Sequence, residues 1–361
     1  MIRLAQLIEA FMPELEAKYG SRLLPSHRQA LAAMRRCRTP ASGSVVVHCP
    51  DCEAHAVFSL SCGHRACPRC QQAAGEAWIE RQRAKRLPVG YYLLTFTLPE
   101  ALRPLLFAHQ REAYGLLLSL VWQTLARFGH HDKALQGDLG ATAVLHTHSR
   151  ALEYHPHVHL VIPAGAIDAK RREWRTKPGR FLFSHKALAK VFRAKWLAAM
   201  GERGWRVRSR LPTRWVVDCR SVGSGDKALI YLGRYLYRGV LPEKNILRWE
   251  AGEVTFCYTD NRRRSQIRTL AGADFLWLLL RHVLPKGFRR SRDYGFLHGN
   301  RKKLIQLLHL VLRVIPPPPK PRPPLCCRAC GGVVVLRSIT PLPAIHRPTP
   351  TPSVLAMEYA M

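Results

Sequence analysis

His155-Pro156-His157-Val158-His159-Leu160-Val161-Ile162-Pro163 is the stretch on which the reading of this chain turns. Its second half is apolar and β-branched, which predicts a strand, and strand side chains alternate between two faces. His157 and His159 therefore share one face, with Val158 directed to the other. Two imidazoles side by side on a rigid strand make half of a metal site. A second pair, His146 and His148, precedes them with matching alternation in a strand over 142–148. The polar turn between the segments predicts an antiparallel hairpin, which brings His146 or His148 beside His157 and His159. Two or three imidazoles with open positions describe a catalytic ion rather than a closed structural one. His185 and Glu153 are further candidates for a third ligand.

A helix over 227–237 is the second informative segment. Projected at about 100° per residue, Lys227, Tyr231, Arg234, Tyr235 and Arg238 fall on one side. Leu229, Leu232 and Leu236 fall on the other and are expected in the core. Tyr231 and Tyr235, four residues apart, are neighbours on the helix surface. A phenol with a pKa of about 10 is a weak nucleophile at neutral pH, and adjacent cations and a metal ion would favour the phenolate. Basic residues interleaved with the tyrosines would be odd in a core contact but suit a nucleic-acid backbone, with Lys227, Arg234 and Arg238 as phosphate contacts.

The chain has 11 cysteines. Cys49-x-x-Cys52 and Cys67-x-x-Cys70 are two knuckles, each presenting two thiolates to one ion. Together they predict the four-sulfur shell of a structural Zn2+ in a zinc-ribbon-like module. Cys62 and His64 lie between them as alternative ligands. Arg65, Arg69, Arg81, Arg83, Lys85 and Arg86 nearby suggest that the module contacts DNA. Cys327-x-x-Cys330 is one further knuckle, half a site by itself.

Lys and Arg total 57 against 24 Asp and Glu among 361 residues, a net charge of +33. Such an excess calls for an anionic partner, most often a polyphosphate backbone bound through counterion release. The charge is spread along the chain rather than confined to one amphipathic helix, which argues against a membrane surface. No apolar run is long enough to span a bilayer, and a first helix carrying Glu9, Glu14 and Glu16 does not read as a secretory signal. A reducing cytoplasm with metal-bound cysteines is the expected setting.

Helices over about 4–36, strands at 91–98, 142–148, 157–162, 214–219 and 253–258, and helices over 100–128, 186–200, 227–237, 275–283 and 302–312 predict an α+β fold. The expected division is a helical and zinc-binding, DNA-contacting segment 1–87, a main domain 88–315, and a Pro-rich tail with a Cys knuckle over 316–361.

Several motifs in order carry a resemblance. They are Cys37-Arg38-Thr39, Cys67-Pro68-Arg69-Cys70-Gln71, Leu94-Thr95-Phe96-Thr97-Leu98-Pro99, Leu145-His146-Thr147, His155-Pro156-His157-Val158-His159, Tyr231-Leu232-Gly233-Arg234-Tyr235, Leu284-Pro285-Lys286-Gly287-Phe288 and Tyr294-Gly295-Phe296. Over roughly residues 30 to 310 the chain resembles rolling-circle insertion-sequence transposases of the two-tyrosine, His-hydrophobic-His class. The resemblance implies a ferredoxin-like palm preceded by a zinc-binding domain, and a metal-dependent single-strand DNA endonuclease and strand transferase. It implies Mg2+ or Mn2+ at His157 and His159, with His146 as third ligand because it stands in the matching Leu-His-Thr segment. It implies Tyr231 and Tyr235 as nucleophiles that form 5′-phosphotyrosine. The partners implied are single-stranded ends of its own mobile element and target DNA, near the bacterial nucleoid. The chain departs from the pattern at His148, where an aromatic residue is expected, and at Arg328-Ala329, where a proline-containing knuckle is expected. A plasmid replication initiator or relaxase-like nickase would share the histidines and tyrosines. A non-enzymatic zinc-dependent DNA-binding protein would share the cysteines and the charge.

Overall fold

A five-stranded antiparallel sheet holds the histidine strand in the computed structural model, which describes residues 2–237, 239–260, 262–318, 321 and 324–341. In chain order the helices are α1 (Leu4–Tyr19), α2 (Pro25–Arg36), α3 (Gln72–Arg83), α4 (Arg103–Ala108) and α5 (Gln110–His131), followed by α6 (His185–Glu202), α7 (Asp226–Tyr237), α8 (Gly272–Leu280) and α9 (Lys302–Val311). The strands are β1 (Ser44–His48), β2 (His55–Ser59), β3 (Tyr91–Thr97), β4 (Gly140–His148), β5 (Tyr154–Pro163), β6 (Gly165–Asp168) and β7 (Glu173–Thr176). They continue with β8 (Val216–Ser221), β9 (Ile246–Glu250), β10 (Glu253–Thr259), β11 (Ser265–Ala271), β12 (Ser291–Gly295) and β13 (Val335–Thr340).

Two compact units divide the chain, and neither is continuous in sequence. One comprises Met1–Arg35 with Gly63–Arg322, the other Arg36–Cys62 with Pro323–Met361. These units do not coincide with the division at 87 and 315 expected from the sequence.

In the larger unit the main sheet runs β12-β4-β5-β3-β8, antiparallel throughout. Alternation sorts its side chains. Leu94 and Phe96 of β3, Val158, Leu160 and Ile162 of β5, and Ala143 and Leu145 of β4 pack on Leu117 and Val121 of α5 and on Phe192 and Trp196 of α6. Leu93, Val144 and Val161 turn the other way, onto Trp78 of α3 and Leu229, Leu232 and Leu236 of α7. Both faces are thus covered by helices, so β5 is buried over nearly its whole length and its far end reads as a continuous apolar run. This is the α+β palm expected from the sequence, with a helical N-terminal region leading into the cysteine-rich segment.

The structure departs from the sequence reading in detail. The helix expected over 100–128 is two helices, α4 and α5, because His109 leaves the helical region at φ −116°. Strands β1, β2, β6, β7, β9, β11 and β12 were not expected; all but β11 span only four or five residues. β13 lies in the segment expected to be a Pro-rich tail, and the tail's last residues, 342–361, lie outside the described residues.

Candidate active site

The register of three strands builds the site. In the β4–β5 pair His146 stands opposite His157, and Val144 opposite His159. In the β3–β5 pair Thr95 stands opposite His159. All three histidines therefore project from the sheet face that α7 covers. Their ring centroids lie 4.3 Å (His146–His159), 5.1 Å (His146–His157) and 4.9 Å (His157–His159) apart. One ring nitrogen from each lies within 4.8 Å of the others.

The rings are oriented from behind. His157 Nδ1 donates to the carbonyl of His155 at 2.6 Å, and His159 Nδ1 is hydrogen-bonded to Thr95 Oγ1 at 2.9 Å. Each bond leaves Nε2 directed elsewhere, the usual device by which an outer partner fixes a ligand's tautomer. His146 Nε2 is buried with no hydrogen-bond partner among the described residues, an exception that asks for an explanation. Burial pushes the pKa of His146 and His157 far below the ordinary imidazole value and that of His159 down to about 3. The rings are thus neutral donors, the form that binds a metal. Three converging neutral imidazoles suit a transition-metal-like divalent ion with open coordination positions.

His148, the other candidate on β4, is carried out of the alternation by a bulge between His146 and His148. Its Nδ1 donates to the carbonyl of Ser149, and its ring stacks on Tyr235. His185 begins α6 and Glu153 lies exposed in the hairpin turn; neither belongs to the histidine group among the described residues.

Helix α7 brings both tyrosines to this face. Asp226 occupies its first turn, and its apolar side is buried as expected. Close approach to α3 requires Gly233: a Cβ there would lie 2.5 Å from Ile79 Cγ1. Tyr231 stands over the cluster with its ring centroid 6.1 Å from both His146 and His159, and it is 45% exposed. Tyr235 is stacked flat on His146, centroids 3.2 Å apart, and its hydroxyl lies 3.4 Å from both the amide and the carbonyl of His148. Burial raises the pKa of Tyr231, against the opposing pull of Arg150 and Arg220, and drives that of Tyr235 up to about 12. The protein's own cations do not make either phenol acidic, contrary to what the basic stripe suggested, because desolvation outweighs them.

Sequence reading missed Arg290. Its guanidinium is buried 4.9 Å from the Tyr235 ring centroid, with Nε donating to the carbonyl of Leu145 and Nη1 to that of Leu236. The only signal was its place just after the Leu-Pro-Lys-Gly-Phe segment. Of the expected phosphate contacts, Lys227 is exposed on the first turn of α7. Arg234, also exposed, lines a groove of about 640 Å³ between α3 and α7 with Arg69, Arg83 and Lys244. Arg238 lies outside the described residues.

Residues 140–304 match the family model described as "Putative transposase", and residues 7–98 match the one described as "Transposase zinc-binding domain". Over 353 residues, 90% of this chain and 88% of the relative, the chain is 33% identical to "Putative transposase y4qJ" of Sinorhizobium fredii. The chain belongs to this transposase family. The transposase is also 28% identical over 308 residues to "Transposase for insertion sequence element IS801" of Pseudomonas savastanoi pv. phaseolicola, covering 76% of this chain and 74% of that one. No solved structure matches.

In this transposase the matched zinc-binding segment contains Cys37, Cys49, Cys52, Cys62, Cys67 and Cys70. The single shell expected from Cys49, Cys52, Cys67 and Cys70 is corrected by the structure. Cys49 and Cys52 are grouped with Cys327 and Cys330 in the smaller unit. Strand β13 pairs with β1 and brings the distant knuckle to them, a long-range pairing that spacing in the sequence does not encode. Cys67 and Cys70, in the larger unit, form their own knuckle with sulfurs 3.5 Å apart. Among the described residues no helix is long and apolar enough to cross a membrane.

Proposed function

We propose that this transposase cuts and rejoins single-stranded DNA at the ends of its own element and in target DNA, through tyrosine adducts, in rolling-circle-type transposition. The observation that carries the reading is the placement of two tyrosines, one helical turn apart, over three inward-facing histidines with an orphaned Nε2. His146, His157 and His159 would hold a divalent ion, Mg2+ or Mn2+, which would supply Lewis acidity toward the scissile phosphate.

Tyr231 acts first, because its ring is exposed while Tyr235 lies stacked beneath Arg290. Its Oη attacks phosphorus in line, the bond from phosphorus to the 3′ oxygen breaks, the phenolic proton leaves to solvent, and the departing oxygen takes up a proton. The products are a 5′-phosphotyrosine and a free 3′-OH. One phosphoester replaces another, so the step reverses when a 3′-OH is presented. Tyr235 serves the second transfer once the helix shifts off His146. Thr95 and the His155 carbonyl keep the ligand rings in place, and Lys227, Arg234 and Arg238 hold phosphates. Zinc at the cysteine knuckles is structural. Action on DNA assigns the work of the protein to the bacterial cytoplasm, at the nucleoid.

The test is a covalent adduct on a denaturing gel, using labelled single-stranded oligonucleotides from the element's ends with Mn2+ or Mg2+. Wild type is expected to form it, and Tyr231→Phe and His157→Ala to lose it in the first cleavage. Adducts that persist in the Tyr231→Phe/Tyr235→Phe variant would refute the mechanism. Tight DNA binding with no adduct under either ion would replace it by a purely DNA-binding role.

A further inference from the structure

The smaller unit contains a second constellation, independent of the nuclease reading. Cys49 and Cys52 lie in the turn between β1 and β2, while Cys327 and Cys330 flank a turn ahead of β13. Cys49 Sγ lies 3.4 Å from Cys330 Sγ, and Cys52 Sγ 3.7 Å from Cys327 Sγ. All four sulfurs lie within 4.8 Å of one another. Four thiolates at about 2.3 Å from a tetrahedral zinc would stand about 3.8 Å apart, close to what is seen.

The backbone is arranged as in a pair of zinc knuckles. The amide of Ala329 donates to Cys327 Sγ and that of Gly332 to Cys330 Sγ, each at 3.4 Å. The two loops are closed by Cys49 N–H to Ala54 carbonyl at 2.8 Å and Cys327 N–H to Gly332 carbonyl at 2.7 Å. Gly332 lies where the loops meet, against the side chain of Asp51.

What surrounds this group has little core to hold it. Every residue of β13 is exposed, including Leu336 and Ile339 at more than half of their surface. Apolar burial therefore contributes little to keeping β13 on β1, and small units without a core are commonly stapled by a metal. We propose that Cys49, Cys52, Cys327 and Cys330 form a closed structural zinc site, in which the C-terminal knuckle supplies half of the ligands and clips β13 to the N-terminal cysteine segment. The C-terminal stretch is then part of the zinc module, although the matched zinc-binding segment ends at residue 98.

The test uses the full chain, prepared with zinc and a non-thiol reductant. Iodoacetamide labelling is mapped peptide by peptide before and after chelation. Cys52 and Cys330 are exposed thiols, so protection of these residues reports coordination rather than burial. Cys327 and Cys330 are expected to react at least about tenfold more slowly than exposed Cys326 until chelator is added, and then to open together with Cys49 and Cys52. Labelling at the rate of Cys326 without chelator overturns the proposal, as does protection that a stronger reductant alone removes, the mark of disulfides. A zinc count supplies the second arm. Cys327→Ser/Cys330→Ser and Cys49→Ser/Cys52→Ser should each lose one zinc per chain, and the fourfold variant the same one and no more. An unchanged count in Cys327→Ser/Cys330→Ser, or a loss of two in the fourfold variant, refutes a shared ion.

Discussion

Gly233→Ala is the substitution that most directly tests how the tyrosine helix is held. The added Cβ would lie 2.5 Å from Ile79 Cγ1, 2.9 Å from Ile79 Cδ1 and 3.1 Å from Trp78 Cε3. Carbon atoms pack at about 3.5–4.0 Å, so α7 or Ile79 must give by about 1 Å. Overpacking of this kind costs about 1–3 kcal/mol. Alanine is the better helix former by about 1 kcal/mol, which offsets part of that. The net expectation is a loss of up to about 2 kcal/mol in a denaturant titration. The larger effect is on chemistry. A 1 Å displacement of α7 carries Tyr231 and Tyr235 off the histidine cluster, and misplacement by that amount can reduce the rate by about 10²-fold. The assay is the initial rate of covalent adduct formation, beside the unfolding midpoint. Gly233→Ala/Ile79→Ala should recover most of the rate, since the second change removes the atoms that the first one strikes. A single variant stabilised by about 1 kcal/mol with an unchanged rate would refute the reasoning, for it would mean that Ile79 alone yields and that α7 is not positioned by this contact.

Thr95→Val removes the hydrogen-bond partner of His159 Nδ1; Mn2+ affinity measured by calorimetric titration should fall by about 10–100-fold, and an unchanged affinity would remove Thr95 from the ligand-positioning set. Acid should destabilise the metal-free chain: burial lowers His27 to about 4 and His159 to about 3, so their stabilising effect is complete above the unfolded value of about 6.5 and is lost as pH falls below it, by about 1 kcal/mol each between pH 6.5 and 5.5. A urea midpoint that stays level or rises over that interval would contradict both assignments.

Much of this site was legible in one dimension because its parts obey local periods. Alternation on β5 placed His157 and His159 on one face, and the helical period placed Tyr231 and Tyr235 together with Leu229, Leu232 and Leu236 behind them. The same rule misled at His148, since a bulge shifts the alternation without leaving a residue pattern that announces it. The tyrosines were expected to sit among cations that ease their ionisation. Their desolvation between sheet and helix, which no local pattern reports, has the opposite and larger effect.

The sequence by itself therefore determined the strand, the helix, the chemical types at the site and, through its ordered motifs, the transposase family. Only the tertiary structure decided which distant groups meet. Arg290 reaches Tyr235 across 55 residues, and Cys49 and Cys52 find Cys330 and Cys327 across 281 and 275 residues. Spacing rules describe ligands carried on one turn or one hairpin, because there the backbone geometry is fixed by neighbours in the chain. Which knuckle completes which shell depends instead on strand pairing between the two ends of the polypeptide, and that is settled by the register of β13 on β1.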